Sequence, residues 1–186
     1  MVSKETNVCV FCGASNGKNP AYVKAATELG ERLAQEGFGL VYGAGGSGMM
    51  GAVSDGALSK GGYVTGIIPQ SMMDREWGRE DISDLQIVGT IQERKVRMYD
   101  LSSFLVTLPG GFGTLEEFFE SLTWSQLKYH TKPAFVLNVE GYYDDLKALL
   151  NRARDDEFVR AGDRELVTVV DTVDELLKHL KVRQLT

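Results

Sequence analysis

Short apolar, β-rich runs alternate with longer segments of helical periodicity along the sequence. The runs predict fully buried strands at 8–12, 39–42, 64–68, 104–108, 134–139 and 166–170. The segments between them predict helices at 20–35, 49–59, 91–101, 114–128, 142–154 and 172–180. Elements in this order make βα units, which build a parallel sheet with helices on both faces. The sequence therefore predicts an α/β fold, a Rossmann-like three-layer αβα arrangement with a mainly parallel sheet.

The composition is that of one globular domain over residues 1–186. A net charge of −6 without any basic block argues against nucleic acid as a partner. No apolar run approaches the roughly 20 residues that span a bilayer, so we expect no membrane partner and a cytoplasmic location. Cys9 and Cys12 lie in an apolar run and are expected to be reduced thiols, either buried or lining the end of the strand. His130 and His179 form no metal-ligand pattern with them, which argues against a zinc site.

Glycine-rich segments follow three of the predicted strands. They contain Gly13 after the first strand, the stretch 43–51 after the second, and Gly110 with Gly111 after the fourth. The carboxyl ends of parallel strands meet at one edge of a sheet, where ligands bind in α/β proteins. We therefore expect the three segments to converge on one crevice.

The segment 109–117, with the sequence PGGFGTLEE, joins a strand to a helix through a turn almost without side chains. Its backbone can approach a ligand closely, and the unpaired N–H groups of the first helical turn suit a phosphate. Glu116 and Glu117 follow at once, and they would repel a phosphate unless positive charge lies between. The segment therefore suggests an enzyme whose substrate has a phosphate at one end and develops positive charge near the other.

The same segment has a structural interpretation, because Thr114 to Glu117 matches the T-x-x-E pattern of a capping box. The core stripe of the helix is predicted to be Leu115, Phe118, Phe119 and Leu122. Glu117 would lie nearly opposite, beside Ser121 and Trp124, on a partly apolar side that suggests a cleft or a subunit contact.

Arg94 is a candidate for binding an anion. It shares a predicted helical stripe with Ile91, Met98 and Leu101, and a guanidinium in an apolar face is costly unless a carboxylate or phosphate pairs with it. The alternatives are an arginine that extends to solvent at the edge of the stripe, or a structural ion pair. Lys95 lies near the same face, whereas Arg97 points away.

Two further segments leave alternatives open. Residues 43–48 match G-x-G-x-x-G, but the strand that follows ends in Pro69 rather than in the acidic residue typical of dinucleotide sites. A tight turn that admits another phosphorylated ligand fits better than NAD or FAD. The irregular stretch 69–89 is either a lid over the crevice or a plain surface excursion.

These residues together resemble the LOG family, the cytokinin riboside 5′-monophosphate phosphoribohydrolases long labelled lysine decarboxylases. The resemblance rests on P-G-G-x-G-T-x-x-E at 109–117, with Arg94-Lys95 before it and Thr123-Trp124 after it. It extends from the first predicted strand to Gly141-Tyr142-Tyr143. Nothing in the sequence supports the pyridoxal phosphate that a decarboxylase would need.

The resemblance implies hydrolysis of the N-glycosidic bond of a nucleoside 5′-monophosphate by a homodimer, and we expect no metal or redox cofactor. It implies that Glu117 and Arg94 are the catalytic residues. Glu117 would be the carboxylate that stabilises an oxocarbenium-like transition state or activates water, and Arg94 would position the substrate and its charge. Further substrate-binding residues that it implies are Glu76, Lys95, Gly111, Phe112, Gly113, Thr114, Leu115, Glu116 and Thr123. The glycine-rich strand ends add Gly13, Ser15, Gly45, Gly46 and Gly110.

Two departures from the plant-like pattern bear on the base. A Gly-Gly-Gly turn is usual where this chain has Ala44, and proline is common where it has Asp74. The resemblance implies a prenylated adenine nucleotide as substrate, with plain AMP as a second option. The remaining alternative for the whole chain is a nucleotide or cofactor carrier of the same fold without turnover.

Overall fold

Parallel strands form a single sheet in the computed structural model, which describes residues 6–75 and 78–184. The strand order across the sheet is β4-β3-β2-β1-β5-β6-β7. The strands are β1 (Asn7–Phe11), β2 (Gly39–Tyr42), β3 (Val64–Pro69), β4 (Asp84–Val88), β5 (Phe104–Thr107), β6 (Ala134–Leu137) and β7 (Val167–Val170). The predicted α/β fold with a parallel sheet is confirmed.

Helices connect the strands. They are α1 (Pro20–Gln35), α2 (Gly48–Ser59), α3 (Gln70–Met73), α4 (Ile91–Asp100), α5 (Phe112–Gln126), α6 (Asp144–Asp155), α7 (Ala161–Arg164) and α8 (Val173–Gln184), with a short 3₁₀ turn at Val139–Gly141. The six longer helices lie where the sequence predicts them, with ends shifted by at most four residues. The two four-residue helices were not predicted. No helix in the described part of the chain is long and apolar enough to cross a membrane.

The sheet separates two sides of the core, and β1 contributes to both. Its alternate residues Val8 and Val10 pack with Cys12 into the cluster that α1, α2 and α8 cover, whereas Cys9 and Phe11 face the cluster covered by α4. Cys9 and Cys12 therefore point to opposite faces. Both are buried free thiols, as predicted.

The strand order reverses direction between β1 and β5. The chain builds outward from β1 through β2 and β3 to β4, returns to the other side of β1 with β5, and builds outward again. At their carboxyl ends the two central strands are fastened together, since the N–H of Leu108 donates to the oxygen of Phe11 at 2.9 Å and the N–H of Gly13 to that of Pro109 at 3.1 Å. The crevice at such a switch point is the expected binding site of an open α/β sheet.

The segment 69–89 is more regular than the sequence suggests. It holds α3 and β4, and β4 pairs in parallel with β3 from Asp84 to Val88. A half-exposed edge strand that begins Asp-Leu-Gln lacks the apolar run that identifies the buried strands. The prediction that the segment is irregular was therefore wrong at α3 and at β4.

Candidate active site

The amino-terminal end of α5 is open. The helix begins at Phe112, and Gly111 occupies the capping position without any side chain to bind the first N–H groups. Thr114 lies inside the first turn, so the T-x-x-E pattern does not form the predicted capping box. A true capping box stands at α4, where Thr90 accepts from the N–H of Glu93 and the Glu93 carboxylate accepts from the N–H of Thr90. The free donors of α5 and its helix dipole are thus available to an anion.

The turn before α5 leaves no room for side chains. A Cβ atom on Gly110 would lie 2.1 Å from Oγ1 of Thr114 and 2.9 Å from the nitrogen of Gly13. Gly111 and Gly113, by contrast, face open space. Glycine at 110 therefore permits close packing of the two strand ends, and glycine at 111 and 113 keeps the helix start accessible.

A cavity of about 490 Å³ lies at this point, between the ends of β1 and β5. We call it the switch-point cavity. It is lined by Cys12, Gly13, Ala14, Ser15, Gly17, Tyr22, Met49, Met50, Arg94, Pro109, Gly110, Gly111, Gly113, Thr114, Glu117 and Tyr142. Eight of the residues that the sequence proposed for the site meet here.

Glu117 lies on the wall of the switch-point cavity, one and a half turns into α5. Its residue is only 7% exposed, and its carboxylate has no hydrogen-bond or ion-pair partner among the described residues. Burial raises the pKa of Glu117 to about 7; the nearby positive charge of Arg94 opposes that rise and the negative charge of Glu116 adds to it. Near neutral pH this carboxylate can therefore hold or release a proton.

Arg94 is buried as well, at 6% exposure, on the inner face of α4. Its Nη2 donates to the carbonyl oxygen of Gly43 at 3.0 Å, and its Nη1 lies 3.8 Å from Sδ of Met72. Its Nε is buried without a partner among the described residues. A guanidinium has five N–H donors, so Arg94 keeps several for a ligand. Within the part of the chain that the structure describes, neither an ion pair nor an extension to solvent accounts for its position.

A second cavity, of about 630 Å³, shares Arg94 with the first. We call it the loop cavity, because the glycine-rich loop after β2 forms one side of it. It is lined by Ala14, Gly43, Gly45, Gly46, Ser47, Met50, Ile68, Met72, Gly78 and Arg94. Its wall is mostly backbone and apolar side chains, which suits a flat or apolar group rather than a charged one.

Arg79 braces the loop that borders this cavity. Its backbone N–H donates to the oxygen of Ala44 at 2.9 Å, next to a bridge between Gly45 and Gly78. Its guanidinium binds Asp81 through two hydrogen bonds of 2.6 and 3.0 Å and also binds Asp55 of α2. Ala44 is fully buried with a φ of 57°, a conformation that favours glycine. The usual glycine of the plant-like pattern would relieve this strain.

The side chain of Lys95 binds α5 and lines neither of the two cavities. Its Nζ lies 2.5 Å from Glu116 and 2.9 Å from Glu120, both on α5. Partial burial alone lowers the pKa of Lys95, but the two carboxylates outweigh it, and the net pKa is raised above its ordinary value. The pair fixes α4 against α5 and thereby sets Arg94 relative to Glu117.

Other predicted residues lie outside both cavities. Phe112 is 94% exposed, and Leu115 packs with Phe118 in the core. The hydroxyl of Thr123 donates to the oxygen of Phe119, and Thr123 lines a small groove against α6 and α7. Glu76 falls outside the described residues.

Three of the four residues that the sequence assigned to the core stripe of α5, Leu115, Phe118 and Leu122, pack in the core, but the buried side extends further round the helix. Its buried residues are Thr114, Glu117, Phe118 and Ser121, whereas Phe119 is 40% exposed. Trp124 packs on Tyr99 of α4, with ring centroids 4.8 Å apart. The apolar side beside Glu117 is therefore covered within this chain.

Sequence reasoning did not propose four larger side chains on the wall of the switch-point cavity. Tyr22 comes from α1, Met49 and Met50 from α2, and Tyr142 from the turn after β6. Only Tyr142 carried a usable signal, because Gly141-Tyr142-Tyr143 follows a strand whose carboxyl end faces the crevice. Across residues 6–75 and 78–184, no group of three or more histidine, cysteine or acidic side chains could hold a metal ion.

A comparison with known proteins identifies the family of this chain. Residues 50–180 match the family model described as "Possible lysine decarboxylase". The chain is 41% identical over 179 residues to cytokinin riboside 5′-monophosphate phosphoribohydrolase LOG3 of Arabidopsis thaliana, covering 96% of this chain and 83% of the relative. The chain belongs to the LOG family. A second relative of this LOG protein, LOG1 of Arabidopsis thaliana with the same described activity, is 40% identical over 96% of the chain and 84% of its own length.

Solved structures share the fold of this LOG-family chain. The molybdenum cofactor binding protein of Rippkaea orientalis superposes with a TM-score of 0.73 at 22% identity, covering 96% of each chain. The Moco carrier protein of Chlamydomonas rheinhardtii gives 0.74 at 20% identity, covering 98% of this chain and 99% of its own. At these identities the likeness shows the fold alone.

Proposed function

We propose that the chain hydrolyses the N-glycosidic bond of cytokinin riboside 5′-monophosphates, N6-substituted AMP and also AMP itself, to give the free base and ribose 5-phosphate. Support comes from relatives with this described activity at about 40% identity over nearly the whole chain. One structural observation carries the chemistry: a buried carboxylate and a buried arginine, both with atoms that have no partner among residues 6–75 and 78–184, share a cavity with an open helix start.

The phosphate would bind at the N–H groups of residues 111–114, where the dipole of α5 favours an anion. A rise of 1.5 Å per residue places Glu117 about 9 Å along the helix from Gly111. The ribose would then lie between phosphate and carboxylate, with its reacting carbon beside Glu117. The base would extend past Arg94 into the loop cavity, whose lining accepts a flat apolar group.

Cleavage of the bond between ribose and base leaves positive charge on the sugar ring. The ionised Glu117 would stabilise that charge and take a proton from the attacking water, whose oxygen forms the new bond to the ribose carbon. The electron pair of the broken bond would leave with the base, which takes up a proton from solvent, and the proton on Glu117 would return to solvent. Arg94, through its free N–H donors, would hold the ribose hydroxyls or the departing base in register.

The test is release of free base, measured by chromatography, from AMP, an N6-isopentenyl AMP, GMP and adenosine. We expect base from adenine 5′-monophosphates and none from adenosine, with Glu117→Gln slower by roughly 10²-fold or more. Glu165→Gln, an exposed carboxylate far along the chain, is the matched control and should match wild type. Binding of nucleotides without release of any base would instead favour the carrier alternative.

The homodimer remains a proposal that the family resemblance supports, and the cytoplasmic location remains a proposal that rests on the sequence alone. Phe112, Phe119 and Leu127 expose apolar surface on the outer side of α5, which suits a subunit contact. Light scattering coupled to size-exclusion chromatography should give twice the mass of one chain. A monomer at micromolar concentration would contradict the proposal.

A further inference from the structure

Tyr142 has a contact that links it to the anion-binding turn. Its hydroxyl donates to the carbonyl oxygen of Gly110 at 2.6 Å, while its ring lines the switch-point cavity. The chain brings it there by a tight reversal after β6, in which Glu140 and Gly141 both have positive φ, 52° and 70°. Tyr22 packs edge-on against its ring with centroids 5.4 Å apart. The tyrosine is thus held from two sides.

The bonded oxygen belongs to the peptide that joins Gly110 to Gly111. A trans peptide is planar, and its carbonyl and N–H point in opposite directions. Fixing the oxygen of Gly110 therefore fixes the direction of the N–H of Gly111. That N–H is the first open donor at the start of α5, and it has no acceptor among the described residues.

A peptide between two glycines needs such an anchor. Glycine populates positive and negative φ with similar ease, so this peptide could rotate and turn its oxygen toward a bound anion. An oxygen in that position would repel a phosphate, whereas the N–H attracts it. The hydrogen bond from Tyr142 selects the favourable orientation before the ligand arrives, which lowers the cost of binding.

We propose that Tyr142 is a positioning residue for phosphate recognition, acting through the Gly110–Gly111 peptide. The proposal rests on the proposed function for the identity of the substrate. This role differs from the roles of Glu117 and Arg94. Loss of the Tyr142 hydroxyl should weaken the affinity for phosphate and leave the rate of bond cleavage nearly unchanged.

The experiment is Tyr142→Phe, which removes the hydroxyl and keeps the ring. We expect the KM for AMP and the inhibition constant of inorganic phosphate to rise about tenfold, with kcat within about twofold and inhibition by adenine unchanged. Tyr143→Phe is the matched control, because its buried hydroxyl donates to the oxygen of Leu108 at 2.7 Å and its side chain does not line the cavity. That variant should lose stability without a change in phosphate inhibition.

A direct binding measurement makes the result independent of turnover. Calorimetric titration with ribose 5-phosphate should show about tenfold weaker binding to Tyr142→Phe, and the amide signal of Gly111 should shift less on addition of phosphate. Equal phosphate affinity in the variant and wild type would overturn the proposal. If wild type releases no base, the proposed function fails, and the titration still decides whether Tyr142 orients the turn.

Discussion

The guanidinium of Arg94 occupies the space that a side chain at position 43 would need. Its Nη2 lies 1.6 Å from the point where a Cβ atom on Gly43 would be, and it donates to the carbonyl oxygen of the same residue at 3.0 Å. Gly43 is therefore required for the position of Arg94.

Gly43→Ala should displace the arginine and lower kcat/KM by roughly 10²-fold, because the charge would no longer face the substrate. Steady-state assays of base release measure this. The matched control is Gly162→Ala, where a Cβ atom meets open space. Wild-type activity in Gly43→Ala would show that Arg94 can act from another position.

The rate should rise with pH through about 7, because the ionised form of Glu117 is the active one and burial raises its pKa to about 7. The pH dependence of kcat/KM measures this, because it reports the pKa values of the free enzyme. Two neighbouring charges provide opposite tests. Lys95→Met removes a positive charge that lowers this pKa and should move the rise to higher pH, whereas Glu116→Gln should move it to lower pH. Shifts of the same sign in both variants would contradict this role for Glu117.

Ionised Glu117 should lower the free energy of unfolding at neutral pH, because burial in the fold disfavours its charge. Its pKa is 4.5 when unperturbed and about 7 in the fold. Between these values the folded state binds more protons than the unfolded state, so the free energy of unfolding falls as pH rises from 4.5 to 7. Glu117→Gln lacks this penalty, at most about 3 kcal/mol.

Denaturant titrations at pH 4.5 and pH 8 measure the difference. The variant should be more stable than wild type at pH 8, and its advantage should shrink at pH 4.5. A constant difference between the two pH values would show that the carboxyl group does not titrate with a raised pKa.

Thr90→Ala should destabilise the protein by about 1 kcal/mol, since it removes the side-chain acceptor that caps α4. Thermal and urea unfolding measure the loss. Thr90→Ser keeps the hydroxyl and should retain most of the stability. If the serine variant loses as much as alanine, packing of the methyl group rather than the cap accounts for the effect.

Thr123→Ala tests a residue that the family resemblance places at the substrate. In this chain its hydroxyl is bound to the oxygen of Phe119 and faces a separate groove. We therefore expect kcat/KM within about threefold of wild type and a stability change within about 0.5 kcal/mol. A tenfold loss of kcat/KM would mean that the site extends over a surface that one chain does not complete.

Strands and helices with a clear periodicity could be predicted from the sequence, and features decided by distant contacts could not. The stripe that buries Arg94 follows from helical spacing alone. The partners of Lys95 lie on another helix, so its role in joining α4 to α5 has no local signal. The capping box predicted at Thr114 does not form, because α5 begins two residues earlier, directly after the glycine turn. The strand β4 was not predicted, because as an edge strand it contains polar residues.

Arg94 stands in the wall common to both cavities, and this position makes their occupancies thermodynamically linked. A group bound in one cavity that uses the guanidinium changes the free energy with which the other is filled, and linkage makes the effect reciprocal. If the ribose phosphate and the base bind in the two cavities as proposed, they are not held as independent products, and departure of either one changes the free energy with which the other is held.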